Sequence, residues 1–239
     1  MAVIQAKGLE HRALNDAIRS QGNCLVQGCL GQRFIASGMN GRTIELEGIP
    51  GNALGAYLTG AEIIVHGNAQ DAVGDTMNEG SIVIHGNVGD AAGYAMRGGR
   101  IFVKGNAGYR AGIHMKAYRE KQPAIVIGGR TGSFLGEYQA GGIIVVLGLH
   151  TDGKPVVGNF PCTGMHGGRM YLRGDISGID FPHNVNVHTA DAEDLQKIHS
   201  LLKNFCGLFD ISMDEVLEKD FHLIEPDSAN PYKQMYVSN

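Results

Sequence analysis

The 239-residue sequence has no tryptophan, seven prolines and four cysteines. The cysteines (Cys24, Cys29, Cys162 and Cys206) are dispersed and make no CxxC pair. That spacing excludes a zinc site built on close ligand pairs and leaves reduced, mostly buried thiols. No apolar run reaches 18 residues, and no secretory or lipidation pattern is present. No transmembrane helix is therefore expected, and the reading is cytoplasmic. Charge of either sign is sparse: 18% of residues are charged and the net charge is −4. Nothing in that balance favours a nucleic-acid or anionic-membrane partner.

What the sequence has instead is glycine, 36 of them, without a collagen period. That is far above ordinary globular usage. The glycines repeat. Gly48, Gly67, Gly86 and Gly105 stand 19 residues apart, Gly129 follows after a five-residue insertion, and Gly148 closes the next period. A fixed period near 20 marks one supersecondary unit stacked on copies of itself. Four residues before each closing glycine lie Ile44, Ile63, Ile82, Ile101, Ile125, Ile144 and Met170. Two before it lie Leu46, Val65, Ile84, Val103, Ile127, Val146 and Leu172. Residues two apart share a strand face, so both columns point to one interior. The strands recur in one direction, once per unit. The fold class is all-β: a right-handed parallel β-helix of about seven rungs, spaced about 4.8 Å apart.

The outward positions are less expected. Three before each closing glycine come Glu45, Ile64, Val83, Phe102, Val126, Val145 and Tyr171. So large an apolar stripe is normally covered. The reading is that a C-terminal helix or a partner covers it. Leu54, Val73, Ala92, Ala111 and Leu135 form a ladder on a second face, as do Leu58, Met77, Met96 and Met115. Asn68, Asn87 and Asn106 stack as an amide ladder. The column Gly55, Gly74, Gly93, Gly112 and Gly136 marks corners needing positive φ or close backbone approach.

Three segments follow: an N-terminal helical segment (1–22), the β-helix (23–178), and C-terminal helices with an extended tail packing on it (179–239). Residues 9–20 read as an amphipathic helix stopped by Gly22. Residues 191–205 place Leu195, Ile198, Leu201, Leu202 and Phe205 on one helical face, with acidic residues in the first turn. Ser212 and Glu215 suggest a capping box for a second short helix, and the tail from Phe221 reads as extended. Such a lid also protects an open β edge.

The units Gly48-x-x-Gly51-x-x-x-Gly55, Gly86-x-x-Gly89-x-x-x-Gly93, Gly105-x-x-Gly108-x-x-x-Gly112 and Gly129-x-x-Gly132-x-x-x-Gly136 match a GXGXG repeat. With Gly67 and Gly74, these are the structural glycines. One unit departs, carrying Gln70 in place of a glycine, and the rung near Pro155–Cys162 keeps only Gly158. The pattern resembles the C-terminal β-helix domain of the glutamate synthase large subunit, related to the β-helix component of formylmethanofuran dehydrogenase. The stretches Gly136–Gly148 and Gly31–Gly48 look particularly like glutamate synthase. The resemblance implies a stand-alone, non-catalytic structural subunit. Its partners would be a glutamine amidotransferase subunit and an FMN-binding synthase subunit making glutamate or N-methylglutamate, with FMN and iron–sulfur groups on those chains. Self-association stays open. The alternatives are a component of a formylmethanofuran dehydrogenase-type complex and a free-standing β-helix carbohydrate-active enzyme.

No catalytic, cofactor-binding or metal-binding residue is assigned. The glycine loops lack the strand–loop–long helix context of a dinucleotide site. His66 and His85 stack on adjacent rungs, a solvated column before a metal pair. Asp71 and Asp90 share a column, but stacked carboxylates are not the opposed pair that acid–base chemistry needs. Cys162 and His166 are close in sequence only.

Overall fold

The computed structural model describes residues 1–227. The chain runs β1 (Ala2–Gln5), α1 (His11–Gln21), β2 (Cys24–Leu30), β3 (Thr43–Ile49), β4 (Thr59–Val65), β5 (Glu79–Ile84) and β6 (Arg100–Val103). It continues through β7 (Ala124–Ile127), β8 (Ala140–Val146), β9 (Gly167–Arg173), β10 (Val185–Thr189), α2 (Ala192–Phe209), α3 (Met213–Leu217) and β11 (Phe221–Pro226). β1 through β9 lie side by side in chain order, each parallel to the next. The result is a parallel β-solenoid. Its register pairs Ile63 with Ile82, Ile82 with Ile101 and Ile101 with Ile125, as a 19-residue period with one insertion requires.

Both aliphatic columns face one core. Ile44 through Met170 and Leu46 through Leu172 are wholly buried, and the ladders of Leu54 and Leu58 meet them from the opposite wall. The stack is longer than the seven rungs expected. Nine parallel strands make about eight turns, because residues 2–5 form a strand of their own ahead of β2. That strand has no closing glycine, so the repeat does not announce it. Helix α1 begins at His11 and ends at Gly22, whose φ of +74° suits glycine. It buries Leu14 and Ile18 over the open end of the core. Its Asn15 stands in for the missing rung below. The Asn15 amide donates to the Phe34 carbonyl at 2.9 Å, and its oxygen accepts from the Ala36 N–H at 2.8 Å.

The outward apolar stripe is covered by the chain itself. Val83, Phe102, Val126, Val145 and Tyr171 are buried against Ile198, Leu201, Leu202, Phe205 and Phe209 of α2, with Ile64 partly buried at the edge. The helix extends to Phe209, four residues beyond the expected end, and so carries one more aromatic residue onto the sheet. Its start is the Asp191 cap, reciprocated by Asp194. Gly128 interrupts the polar outer column where Phe205 crosses it. A Cβ there would meet Phe205 Cζ at 2.8 Å. Ser212 caps α3 by accepting from the Asp214 and Glu215 N–H groups.

The far end is closed by the tail, which is extended over Phe221–Pro226 as expected. Phe221–Pro226 pairs antiparallel with β9, and β10 pairs antiparallel with it. This antiparallel pair, joined through α2 and α3, completes an 11-stranded sheet. Arg173, nearly fully buried, donates to the carbonyls of Val216 (2.7 Å), Glu215 (2.7 Å) and Leu147 (3.1 Å), tying α3 to the last rung. The remainder of the tail, 228–239, lies outside the described residues.

Candidate interaction surface

Most chemistry-bearing side chains of the repeat serve the stack. Asn68 Oδ1 accepts from the Asn87 N–H, Asn87 Oδ1 from Asn106, and Asn106 Oδ1 from Arg130, each at 2.8 Å. The amide ladder therefore bonds to the backbone of the rung above rather than chiefly to itself. The carboxylates do likewise. Asp71 Oδ1 accepts from the Asp90 N–H at 2.9 Å, and Asp90 Oδ1 from the Tyr109 N–H at 2.8 Å.

These bonds explain the glycines. A Cβ at Gly86, Gly105 or Gly129 would fall on the Asn Oδ1 below it, and one at Gly89 or Gly108 on the Asp Oδ1. Gly48 and Gly51 pass equally close to the backbone below, Gly132 somewhat less so at 2.8 Å, whereas Gly67 has only the Gly48 oxygen, at 3.4 Å. Where Gln70 replaces the glycine, the corresponding Asn52–Asp71 bond lengthens to 3.4 Å. Many donors of the glycine loops are thus occupied within the stack, as they are not in a phosphate cradle.

The remaining candidates separate. His66 Nε2 lies 2.9 Å from Glu45 Oε2. Its ring stacks on His85 at 5.6 Å, and His85 meets the edge of Phe209 at 5.2 Å. Burial, then the neighbouring His66 and Lys104, holds the His85 imidazole below its usual pKa. Among the described residues no three His, Cys, Asp or Glu side chains gather as metal ligands. Cys162 is wholly buried with Sγ 3.6 Å from Met170 Sδ, and burial pushes its thiol up to about 12. His166 instead bonds the Gly164 carbonyl. The cysteine and histidine do not form a nucleophile–base pair.

One surface was not visible in the sequence. On the side away from the strands, each turn contains three left-handed residues at alternate positions. Only the middle one is a glycine in most turns. Gly55, Gly74, Gly93, Gly112 and Gly136 have φ between +64° and +71°, and each Cβ would drive into an isoleucine or methionine of a later rung. Ala36 and Cys162 take this position in the end turns. The flanking positions hold side chains, at φ between +50° and +62°: Ala53 and Tyr57, Ala72 and Thr76, Ala91 and Ala95, Arg110 and His114, Phe134 and Tyr138. Left-handed backbone costs a non-glycine residue about 1–2 kcal/mol.

Alternation lets N–H groups bond up and down the stack. Ala53 donates to Asp71 above, Gly55 to Ile35 below, and Tyr57 to Asp75 above. Large exposed side chains take flanking positions at both ends of the stack, singly as Phe34 and Tyr57 in the first turns and as two stacked ladders in the later ones. The Arg110 guanidinium lies 4.8 Å over Phe134, which packs 5.3 Å from Phe160. His114 stacks on Tyr138 at 5.2 Å and 11°, with Tyr94 edge-on at 6.0 Å. Phe160 is 59% exposed and Tyr138 37%. The Arg110 Nε also bonds Glu137 Oε2 at 3.0 Å.

With this geometry in view, known proteins supply context. The family model described as "GXGXG motif" matches residues 5–227. The uncharacterized protein MJ1350 of Methanocaldococcus jannaschii is 43% identical over 250 residues, covering 98% of this chain and 96% of that protein. A chain of the formyltransferase/hydrolase complex FhcABCD from Methylorubrum extorquens, solved with methylofuran, superposes with a TM-score of 0.60. It is 18% identical and the match covers 85% of this chain and 84% of that one, a likeness of fold. No helix among the described residues is long and apolar enough to cross a membrane.

Proposed function

The chain belongs to the GXGXG-motif family, and from that premise we propose that it is a non-catalytic scaffold subunit of a multi-subunit enzyme complex of the formyl-transferring kind. The observation that carries this is the shared solenoid, over 85% of the chain, with a component of a formyltransferase/hydrolase complex. The internal economy of the stack supports it. Asp71 and Asp90, the carboxylates a β-helix carbohydrate enzyme would use, hold backbone N–H groups. The Cys162 thiol stays protonated in the core. This order reverses the preference drawn from sequence, which put glutamate synthase first.

A glutamate synthase-type assembly is the second reading, favoured by the stretches Gly31–Gly48 and Gly136–Gly148. There the amidotransferase, the FMN and the iron–sulfur groups belong to partner chains. Purification of the tagged chain from its own host, with mass spectrometry of stoichiometric companions, separates the readings. Formyltransferase/hydrolase-like or molybdenum- or tungsten-bearing chains support the first. A glutaminase-like chain with an FMN-bearing chain supports the second. A lone chain with turnover of its own contradicts both.

A further inference from the structure

The two exposed ladders combine features that folding alone does not explain. Their residues sit in left-handed backbone, which a bulky side chain adopts at a penalty and glycine adopts freely. The same columns hold alanine at Ala53, Ala72, Ala91 and Ala95, and glycine at Gly38 and Gly164, so a small residue satisfies the turn. Phe160 is nonetheless a phenylalanine at φ +58°, and more than half exposed. It gains little burial in return for its strained backbone. Strain retained at exposed aromatic residues points to a use outside the chain.

The composition says what kind of use. Tyrosine, arginine and phenylalanine are the residues that dominate protein interfaces, where rigid rings anchor and water is excluded. Charge narrows the partner. On and beside this side stand Arg97, Arg110 and Lys116 with Glu137 as the acidic neighbour, in a chain whose total is −4. Arg97 and Lys116 follow Met96 and Met115 at the border of this same side. A polyanion such as RNA is a poorer match, because the rest of the chain is strongly acidic.

We propose that this side of the last turns, centred on Arg110, His114, Phe134, Tyr138 and Phe160, is the docking face for an acidic surface of a partner protein subunit. The inference deepens the scaffold reading and rests on it. The partner's carboxylates face Arg97, Arg110 and Lys116, and its apolar groups cover the rings of Phe134 and Phe160.

The test uses the tagged full chain expressed in its own host, with the photo-crosslinking residue p-benzoylphenylalanine placed at Phe160 or Tyr138, and at Leu217 beside the lid as a control. Crosslinks from Phe160 and Tyr138 into acidic peptides of a stoichiometric companion protein are expected, with little from Leu217. In parallel, Phe160→Gly is expected to keep or raise the melting temperature while lowering companion recovery about tenfold. Arg110→Glu with Lys116→Glu is expected to lower it further, and salt to weaken the wild-type association. A companion that crosslinks only from Leu217 overturns the docking face and leaves the scaffold reading standing. Crosslinks to nucleic acid or to a second copy of this chain overturn the acidic-partner assignment. No companion at all overturns both readings. A melting temperature lowered by several degrees in Phe160→Gly makes the ring a structural part of the turn and also overturns the inference.

Discussion

Truncating Phe205 to alanine tests how the lid is held. Phe205 is wholly buried, packed 4.8 Å from Phe209 and against the bare backbone at Gly128. An aromatic side chain buries about 150–250 Å². At about 25 cal/mol/Å² that is about 4–6 kcal/mol, an upper figure because the unfolded chain already hides part of it. Measured Phe→Ala changes in cores fall at about 3–5 kcal/mol. A shift of 1 kcal/mol moves the melting temperature by about 2–4 °C in a domain of this size, so a drop of about 6–20 °C follows if the molecule melts as one unit. A solenoid gives a second possibility, since each turn contacts mainly its neighbours. The lid then leaves first and the melt splits into an early and a late transition. Differential scanning calorimetry distinguishes the two. Limited proteolysis within residues 174–184, which join β9 to β10, reports lid release. Lys203→Ala, on the exposed face of the same helix, should change stability by less than about 0.5 kcal/mol. A Phe205→Ala protein that melts within 2 °C of the parent with unchanged proteolysis would refute the packing argument.

Other expectations follow from the turns and ladders. Gly93→Ala forces a Cβ into Ile125 Cδ1 at φ +71° and should cost more than about 2 kcal/mol in urea denaturation, strain and clash together; Ala91→Gly, two residues earlier at φ +56°, should be neutral or stabilising by up to about 1 kcal/mol. Asp71→Asn with Asp90→Asn keeps both acceptors and should leave melting and companion recovery unchanged, whereas Asp90→Leu strands the Tyr109 N–H and should lose about 1 kcal/mol. The lowered pKa of His85 means the unfolded chain binds that proton more readily, so its contribution is present above the unfolded value near 6.5 and is lost as pH falls through the folded one; melting measured from pH 7.5 to 5 should decline, and His85→Gln should flatten part of that decline.

The strands were legible because their code is local and repeated. An isoleucine (methionine in the last unit) four residues before each glycine and an aliphatic two before it need no neighbour to be read. The covering of Val83, Phe102 and Val126 was legible too, because an apolar outer column and an apolar face on residues 191–205 called for each other. β1 was hidden by its brevity, four residues without a closing glycine. The antiparallel pairing of β10 and β11 was hidden because pairing with β9 is a property of three dimensions. The left-handed residues flanking each central glycine were invisible for a similar reason. A phenylalanine or an arginine at φ near +60° violates local preference and is held there by the bonds of the rungs above and below. The ladder carboxylates could be aligned in sequence, but their acceptor role depends on how closely successive rungs approach.

The most direct measurement is the native mass of the tagged chain isolated from its own host at low salt, with turnover assayed on the same preparation. A particle far larger than one 25.5 kDa chain, containing stoichiometric catalytic subunits and losing activity when this chain is removed, is the predicted result. A 25.5 kDa species, or a simple multiple of it, that turns over a substrate unaided would contradict the account.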